Sequence, residues 1–235
     1  MKYIISSFAR STLARRPGFE GIEDPEAARA YDRISRWPQF RMLRWMVARK
    51  LDRVQPAGSL ADVGCGPGYL ATLIARRYPD LHVVGFDSAD EMIRTASLNA
   101  AALGLSARLE FRAGDASRLP LPEGALDCVV STMSLHHWSD PGQALAEFQR
   151  VLKPGGQLLV FDLRRDSRRF FYWLLRFAQR IVVPAALRRL NEPLGSLLAS
   201  YTPAEVEGLF ALSPFNAWRI EAGPAWLFAW AGKRP

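Results

Sequence analysis

Three carboxylates and three glycines are the residues of this chain best placed to do chemistry. In LADVGCGPGYLA (60–71), Gly64, Gly66 and Gly68 stand at alternate positions, and Asp62 precedes the first of them by two residues. Asp87 closes the apolar run LHVVGFD, and Asp115 lies in AGDAS after an alternating run. A glycine loop between a strand and a helix lets bare backbone approach a ligand, and its N–H groups ordinarily receive phosphate. From Gly66 onward, GPGYLA even satisfies the G-x-G-x-x-[GA] pattern of dinucleotide sites, with Asp87 19 residues after Gly68. Two features oppose a pyrophosphate. Pro67 has no N–H to donate, and Asp62 would face anionic oxygens as a like charge in a partly dry site.

The set suits a nucleoside that carries positive charge and no phosphate. S-adenosylmethionine has a sulfonium, an ammonium and one carboxylate, so it is net positive. Asp62 would favour that cation, and Gly64, Gly66 and Gly68 would let backbone close on the methionine part. Asp87 would accept from both ribose hydroxyls, and Asp115 from the adenine amine. Three carboxylates at the ends of successive strands then point into one crevice. The alternative left by the glycine pattern is an NAD(P)-dependent oxidoreductase.

The elements that must hold these residues alternate. Residues 20–36 predict a helix with Asp24 as N-cap and Pro25 in its first turn, and 39–53 a second amphipathic one. Strands follow at 60–63, 81–86, 107–112, 126–132 and 157–163, with helices at 68–77, 89–103 and 140–152 between them. KPGG (153–156) reads as the stop and turn after the last of these helices. Near-continuous apolar strands in βαβ order argue a parallel sheet between helices. Thr202 caps a further helix, and AWRIEAG and AWLFAWAG lie so close that a hairpin must join them.

The 235 residues are 49% hydrophobic and 23% charged, enough for one sizeable core. Two cysteines, Cys65 and Cys128, make neither a disulfide framework nor a metal cluster, which points to a reducing cytoplasm. No apolar run reaches the roughly 18–20 residues that span a bilayer. Residues 1–19 are basic and acid-free and read as a disordered N-terminus. Net charge is +8, but residues 163–190 hold eight arginines against one acid, so the remainder is nearly neutral at +1.

DVGCGPG, GFDSADEMIRTA, FRAGDASRLPLPEGALDCVVSTMSLHHW and AEFQRVLKPGGQLLVFDL, in this order and spacing, resemble the motifs of class I S-adenosylmethionine-dependent methyltransferases, in the small-molecule group that includes the ubiquinone/menaquinone enzymes. The resemblance covers about residues 26–163. It implies an α/β, Rossmann-like seven-stranded sheet, parallel except for an antiparallel last strand, with helices on both faces. On that scheme one domain spans 20–235, with N-terminal helices at 20–57 and a basic helical lid insert at 164–200. It also implies that Asp62, Gly64, Gly66 and Gly68 surround the methionine moiety, that Asp87, Ser88 and Met92 hold the ribose, and that Asp115 and Ala116 hold the adenine. Ser131 and Met133 would sit below the sulfonium through their backbone, and Tyr31 would close the pocket from the N-terminal helix.

His136 and His137 follow the fourth strand, where acceptor should meet donor. A neutral imidazole there can take a proton from an acceptor, although methyl transfer needs mainly alignment and the preferred reading is a histidine that caps the next helix or ties down the loop. A zinc site lacks further Cys or His partners. Cys65 offers a thiol in the glycine loop, at a position that tolerates many residue types in the family.

The segment LRRDSRRFFYWLLRFAQRIVV supports three readings. As a helix it would put Arg165, Arg168, Arg169, Arg176 and Arg180 on one side and Phe170, Trp173, Leu174, Phe177 and Ile181 on another. It is a lid with its apolar face over the site, a helix leaning on anionic membrane through 164–190, or a nucleic-acid contact. STMSLHHW replaces the Asn/Asp-Pro-Pro-aromatic run of base-amine methyltransferases, which argues against nucleic acid. The expected activity is methyl transfer to a small, apolar or lipid-like acceptor by direct displacement, in the cytoplasm or peripheral to a membrane. A non-catalytic S-adenosylmethionine-binding protein is the reading from another class.

Overall fold

A computed structural model describes residues 13–16 and 22–235. Its centre is a seven-stranded sheet in the order β3-β2-β1-β4-β5-β7-β6. The strands are β1 (Ser59–Val63), β2 (His82–Asp87), β3 (Leu109–Ala113), β4 (Leu126–Thr132), β5 (Leu152–Leu163), β6 (Ala217–Ala222) and β7 (Trp226–Gly232). β1 pairs in parallel with both β2 and β4, and β4 in parallel with β5, whereas β7 runs antiparallel to β5 and β6. The chain therefore builds outward from β1 in one direction to β3 and in the other to β5. A crevice opens at that reversal, beyond the carboxyl ends of β1 and β4.

Apolar strands need cover on both faces, and the helices supply it. One core packs Val63, Phe86, Val129 and Val160 against Leu145, Phe148 and Phe210; the other packs Leu60, Val83, Val130 and Phe161 against Val47, Leu51 and Ile74. The covering helices are α1 (Pro25–Ser35), α2 (Pro38–Leu51), α3 (Tyr69–Arg77), α4 (Asp90–Ala101) and α5 (Pro141–Val151). α6 (Arg169–Ile181), α7 (Ala185–Arg189), α8 (Leu194–Ala199) and α9 (Pro203–Ala211) follow β5.

Local chemistry sets several boundaries. Asp24 caps α1 by accepting from Glu26 and Ala27 N–H, with Pro25 in the first turn. Thr202 and Glu205 cap α9 reciprocally. Thr202→Ala removes one half of that box, and thermal or urea unfolding should show a loss of about 1 kcal/mol.

Two expectations about boundaries are corrected. KPGG is not a turn outside the strand. It lies within β5, where Gly155 takes φ 79° and the register with β4 shifts. The C-terminal tail holds it there: Gly155 N–H donates to the Lys233 carbonyl and Lys233 N–H to that of Gly156, each at 3.0 Å.

The basic helix, in turn, begins at Arg169, so Arg165 is not on its charged side. Arg164 and Arg165 are buried. Arg164 grips Asp166 through two hydrogen bonds of 2.7 Å. Arg165 pairs with Glu205 at 2.6 Å and donates to the carbonyls of Leu13 and Ser200. Arg164 also donates to the Gly223 carbonyl at 3.0 Å, so these two arginines fasten the insert to the body.

α6 has no buried residue, and Phe170, Trp173, Phe177 and Ile181 are 58–64% exposed. The lid whose apolar face covers the site is therefore not formed by α6; its apolar face turns outward. Most of the stretch expected to be disordered, 1–19, lies outside the described residues. Its described part, 13–16, is tied down: Arg15 donates to the Ala199 carbonyl at 2.7 Å and lies 4.0 Å over the Tyr201 ring. No helix among the described residues is long and apolar enough to cross a membrane.

Candidate functional site

The carboxyl ends of β1, β2 and β4 open on a cavity of about 240 Å3. Asp62 reaches it from the penultimate position of β1. The side chain is buried at 1% exposure, and neither carboxylate oxygen has a well-formed hydrogen bond, although the Ala71 N–H in the first turn of α3 faces it and opposes the effect of burial. Burial pushes its pKa up to about 7. A buried carboxyl left unpaired is costly.

The glycines differ in what they do. All three take positive φ, between 52° and 78°. A Cβ on Gly64 would sit 2.2 Å from the Ser134 hydroxyl oxygen, and one on Gly68 would sit 2.6 Å from the Phe111 ring. These two are glycines because neighbouring side chains fill the space, and Gly68 does not line the cavity. Only Gly66 has room on its open side, with Tyr31 as nearest neighbour at 3.6 Å.

Asp87, at the end of β2, receives Gly66 N–H at 2.8 Å and Ala89 N–H at 3.0 Å, so it fastens the glycine loop to the start of α4. Burial raises its pKa. Asp115 makes a tight turn in which one oxygen accepts from both the N–H and the hydroxyl of Ser117. Tyr31, Asp62, Gly64, Gly66, Asp87 and Ser88 border one cavity, as do Met92, Asp115, Ala116, Met133, His136 and His137. Burial pushes the Cys65 thiol well up, away from a nucleophilic thiolate.

Ser131 is a correction. It is fully buried, donates to the Val63 carbonyl at 2.7 Å and does not border the cavity. Side chains alternate along β4, so its neighbour Thr132 and the following Met133 and Ser134 form that wall instead.

Two wall residues, Arg44 and Glu192, and one behind the wall, Asp162, escaped the sequence reading. Arg44 of α2 donates to the Ser35 carbonyl at 2.8 Å, and burial lowers its pKa. Glu192, between α7 and α8, is bonded by the Ser196 hydroxyl, and burial raises its pKa. Neither carried a local signal. Asp162, near the end of β5, is 1% exposed and is gripped by His136. Its signal was legible: VFDL sets one acid among apolar residues.

A methyltransferase-domain family matches residues 61–160, the span from β1 to β5. A demethylmenaquinone methyltransferase of Thermus thermophilus is 32% identical over 201 residues, which cover 84% of this chain and 89% of that protein. The chain belongs to the S-adenosylmethionine-dependent methyltransferases. An uncharacterized 37.1 kDa protein in transposon TN4556 from Streptomyces fradiae is 36% identical over 144 residues, and the match spans 61% of this chain but only 41% of that protein. A SAM-dependent methyltransferase from Aquifex aeolicus has the same fold, with a TM-score of 0.64 and 20% identity over 89% of this chain and 98% of that one.

The residues of this methyltransferase fit its cofactor. The partnerless Asp62 carboxylate matches a ligand cation. The open side of Gly66 leaves room for a ligand against the backbone. A pyrophosphate would instead meet an unpaired buried carboxyl and a loop whose Pro67 donates nothing.

Proposed function

We propose that this methyltransferase seats S-adenosylmethionine in the β1–β2–β4 crevice and methylates a small, largely apolar, quinone-like acceptor delivered from a membrane surface. The observation that carries the cofactor seat is the buried, unpartnered carboxylate of Asp62. Asp62 faces the cationic part of the methionine moiety. Arg44, the guanidinium on the same cavity wall, receives its carboxylate. Asp87 keeps two N–H donors of the protein and still has lone pairs for the ribose hydroxyls. Asp115 and Ala116 border the adenine, with Met92 and Ser88 along the ribose edge. Met133 and the Gly64 backbone lie under the sulfonium. The bound group supplies an activated methyl; the protein supplies alignment and exclusion of water.

Ile22, Ile34, Phe40 and Leu43 give the wall an apolar stretch. This supports an apolar acceptor, as does the name of the Thermus relative, a demethylmenaquinone methyltransferase.

α6 supports delivery from a membrane. Its outward face of Phe170, Trp173, Phe177 and Ile181 is flanked by arginines at 169, 176 and 180, the make-up of a helix lying in an anionic interface. It packs on α8, whose Ser196 borders the cavity. Co-sedimentation should show preference for phosphatidylglycerol over phosphatidylcholine vesicles, and Trp173→Glu with Phe177→Glu should weaken it at least about 10-fold. Equal binding to both vesicles would contradict the contact.

The acceptor class is tested by supplying methyl-labelled S-adenosylmethionine with a prenylated 1,4-naphthohydroquinone in vesicles. Label on the naphthohydroquinone is the expected result. Transfer only to water-soluble polar acceptors would overturn it.

A further inference from the structure

His136 lies in the 3-10 turn Leu135–His137 that follows β4, with its side chain 1% exposed. Its Nδ1 is 2.8 and 2.9 Å from the two oxygens of Asp162. The carboxylate is fixed in turn. Its Oδ2 accepts the His136 backbone N–H at 3.0 Å, and its Oδ1 accepts the Leu163 N–H at 2.7 Å. A carboxylate only accepts, so the proton of a neutral imidazole stays on Nδ1 and Nε2 keeps its lone pair. Nε2, on the ring edge away from Asp162, is buried and has no hydrogen-bond partner, while the residue borders the cavity. A histidine that served only to hold the turn would need Nδ1 alone and would leave this buried acceptor unsatisfied for nothing. Asp62 and His136 are thus two partnerless polar groups on the wall of one cavity.

We propose that His136 Nε2 is the proton acceptor for the substrate and that Asp162 is its positioning residue. This rests on the methyl-transfer reading above and names the acceptor's reacting group: a hydroxyl that is phenolic or enolic, not a tertiary amine or thioether. The O–H bond breaks and its proton passes to Nε2. The electron pair left on the acceptor forms the bond to the methyl carbon, while the carbon–sulfur pair departs with sulfur. The imidazolium formed is held beside Asp162 until it releases the proton to solvent. The reaction that supplies this substrate must therefore deliver a hydroxylated, reduced ring or an enol.

The pH dependence follows from what faces His136. Burial alone would lower its pKa, but the charge and hydrogen bond of Asp162 raise it overall, with Glu192 adding and Arg15 opposing. The His137 ring lies tilted by 43° at 4.1 Å between centroids, and Tyr31 is on the same cavity wall. The protonated ring cannot accept, so turnover falls as pH drops through a midpoint above the ordinary histidine value.

Long-range nitrogen–proton NMR on the whole protein with S-adenosylhomocysteine added reads the pair without any acceptor. Neutral His136 is expected to carry its proton on Nδ1. Asp162→Asn is expected to lower the titration midpoint by about one pH unit or more. A proton on Nε2 in the neutral ring, or an unmoved midpoint in a folded Asp162→Asn protein, overturns the proposal.

With reduced 1,4-naphthohydroquinone as the probe acceptor, His136→Gln is expected to lower kcat roughly 100-fold or more. Its S-adenosylhomocysteine affinity should stay within about 3-fold, and the acid limb of the pH profile should vanish. Retained kcat with the acid limb intact overturns it. If the wild-type protein leaves this probe unmethylated, the quinone-like acceptor class fails, and the NMR result still decides the pair.

Discussion

Asp62→Asn abolishes S-adenosylmethionine binding in the micromolar range and at the same time makes the ligand-free protein more stable at pH 8. Both effects come from one buried carboxyl with no partner. In the complex, the charge of Asp62 is matched by the ligand cation. Losing a charge-assisted contact in a water-poor site weakens affinity by about 100-fold or more.

Without ligand the same charge is a burden. The folded-state pKa is raised from 3.8 to about 7. Between those values the folded protein binds more protons than the unfolded chain, so stability falls as pH rises from about 4 to 7 and stays low beyond. At about 1.36 kcal/mol per pH unit this rise corresponds to about 4 kcal/mol at pH 8. Asn keeps the shape and removes the charge, so its melting temperature should exceed wild type at pH 8 and match it near pH 4. Calorimetric titration and thermal melts at the two pH values measure both halves. A variant that binds normally, or that is destabilised at pH 8, contradicts the role assigned to Asp62.

Asp87→Ala has the second largest effect. It removes the proposed acceptor of two ribose hydroxyls and frees the Gly66 and Ala89 N–H groups that Asp87 now holds. Two charge-assisted hydrogen bonds at about 1.5–3 kcal/mol each predict a loss of 100-fold or more for S-adenosylhomocysteine. The two freed donors predict a stability loss of about 1–3 kcal/mol, which leaves a folded protein. Asp87→Asn can still accept at one oxygen and should fall between. Unchanged affinity in Asp87→Ala, measured by calorimetry, would remove the ribose from this residue.

What was legible in the sequence was what local chemistry decides. The Asp24–Pro25 start of α1 and the Thr202 cap of α9 depend on residues within one turn of each other. The apolar runs of β1, β2, β4 and β5 reveal a buried parallel sheet, because such strands have no solvent face. Asp62 and Asp87 at the carboxyl ends of β1 and β2, and Asp115 after β3, mark the crevice.

What failed depends on partners far along the chain. Arg165 looks like part of a charged helix face until Glu205 and the carbonyls of Leu13 and Ser200 surround it. KPGG looks like a turn until the tail at Lys233 pairs with it. α6 has the amphipathic pattern of a lid, but periodicity states only that two faces differ, not which one turns to the protein. Ser131 illustrates the limit at a single residue. The motif locates the strand end, and the alternation of side chains decides that its hydroxyl goes to Val63.

The crevice beyond β1 and β4 should take a cationic adenosine derivative in preference to a phosphorylated one. Calorimetric titration of the full chain with S-adenosylmethionine, S-adenosylhomocysteine and NAD+ measures this directly. One site of micromolar or tighter affinity is expected for the first two, with no heat for NAD+. Binding of NAD+ at comparable strength, or silence with all three ligands, would contradict it.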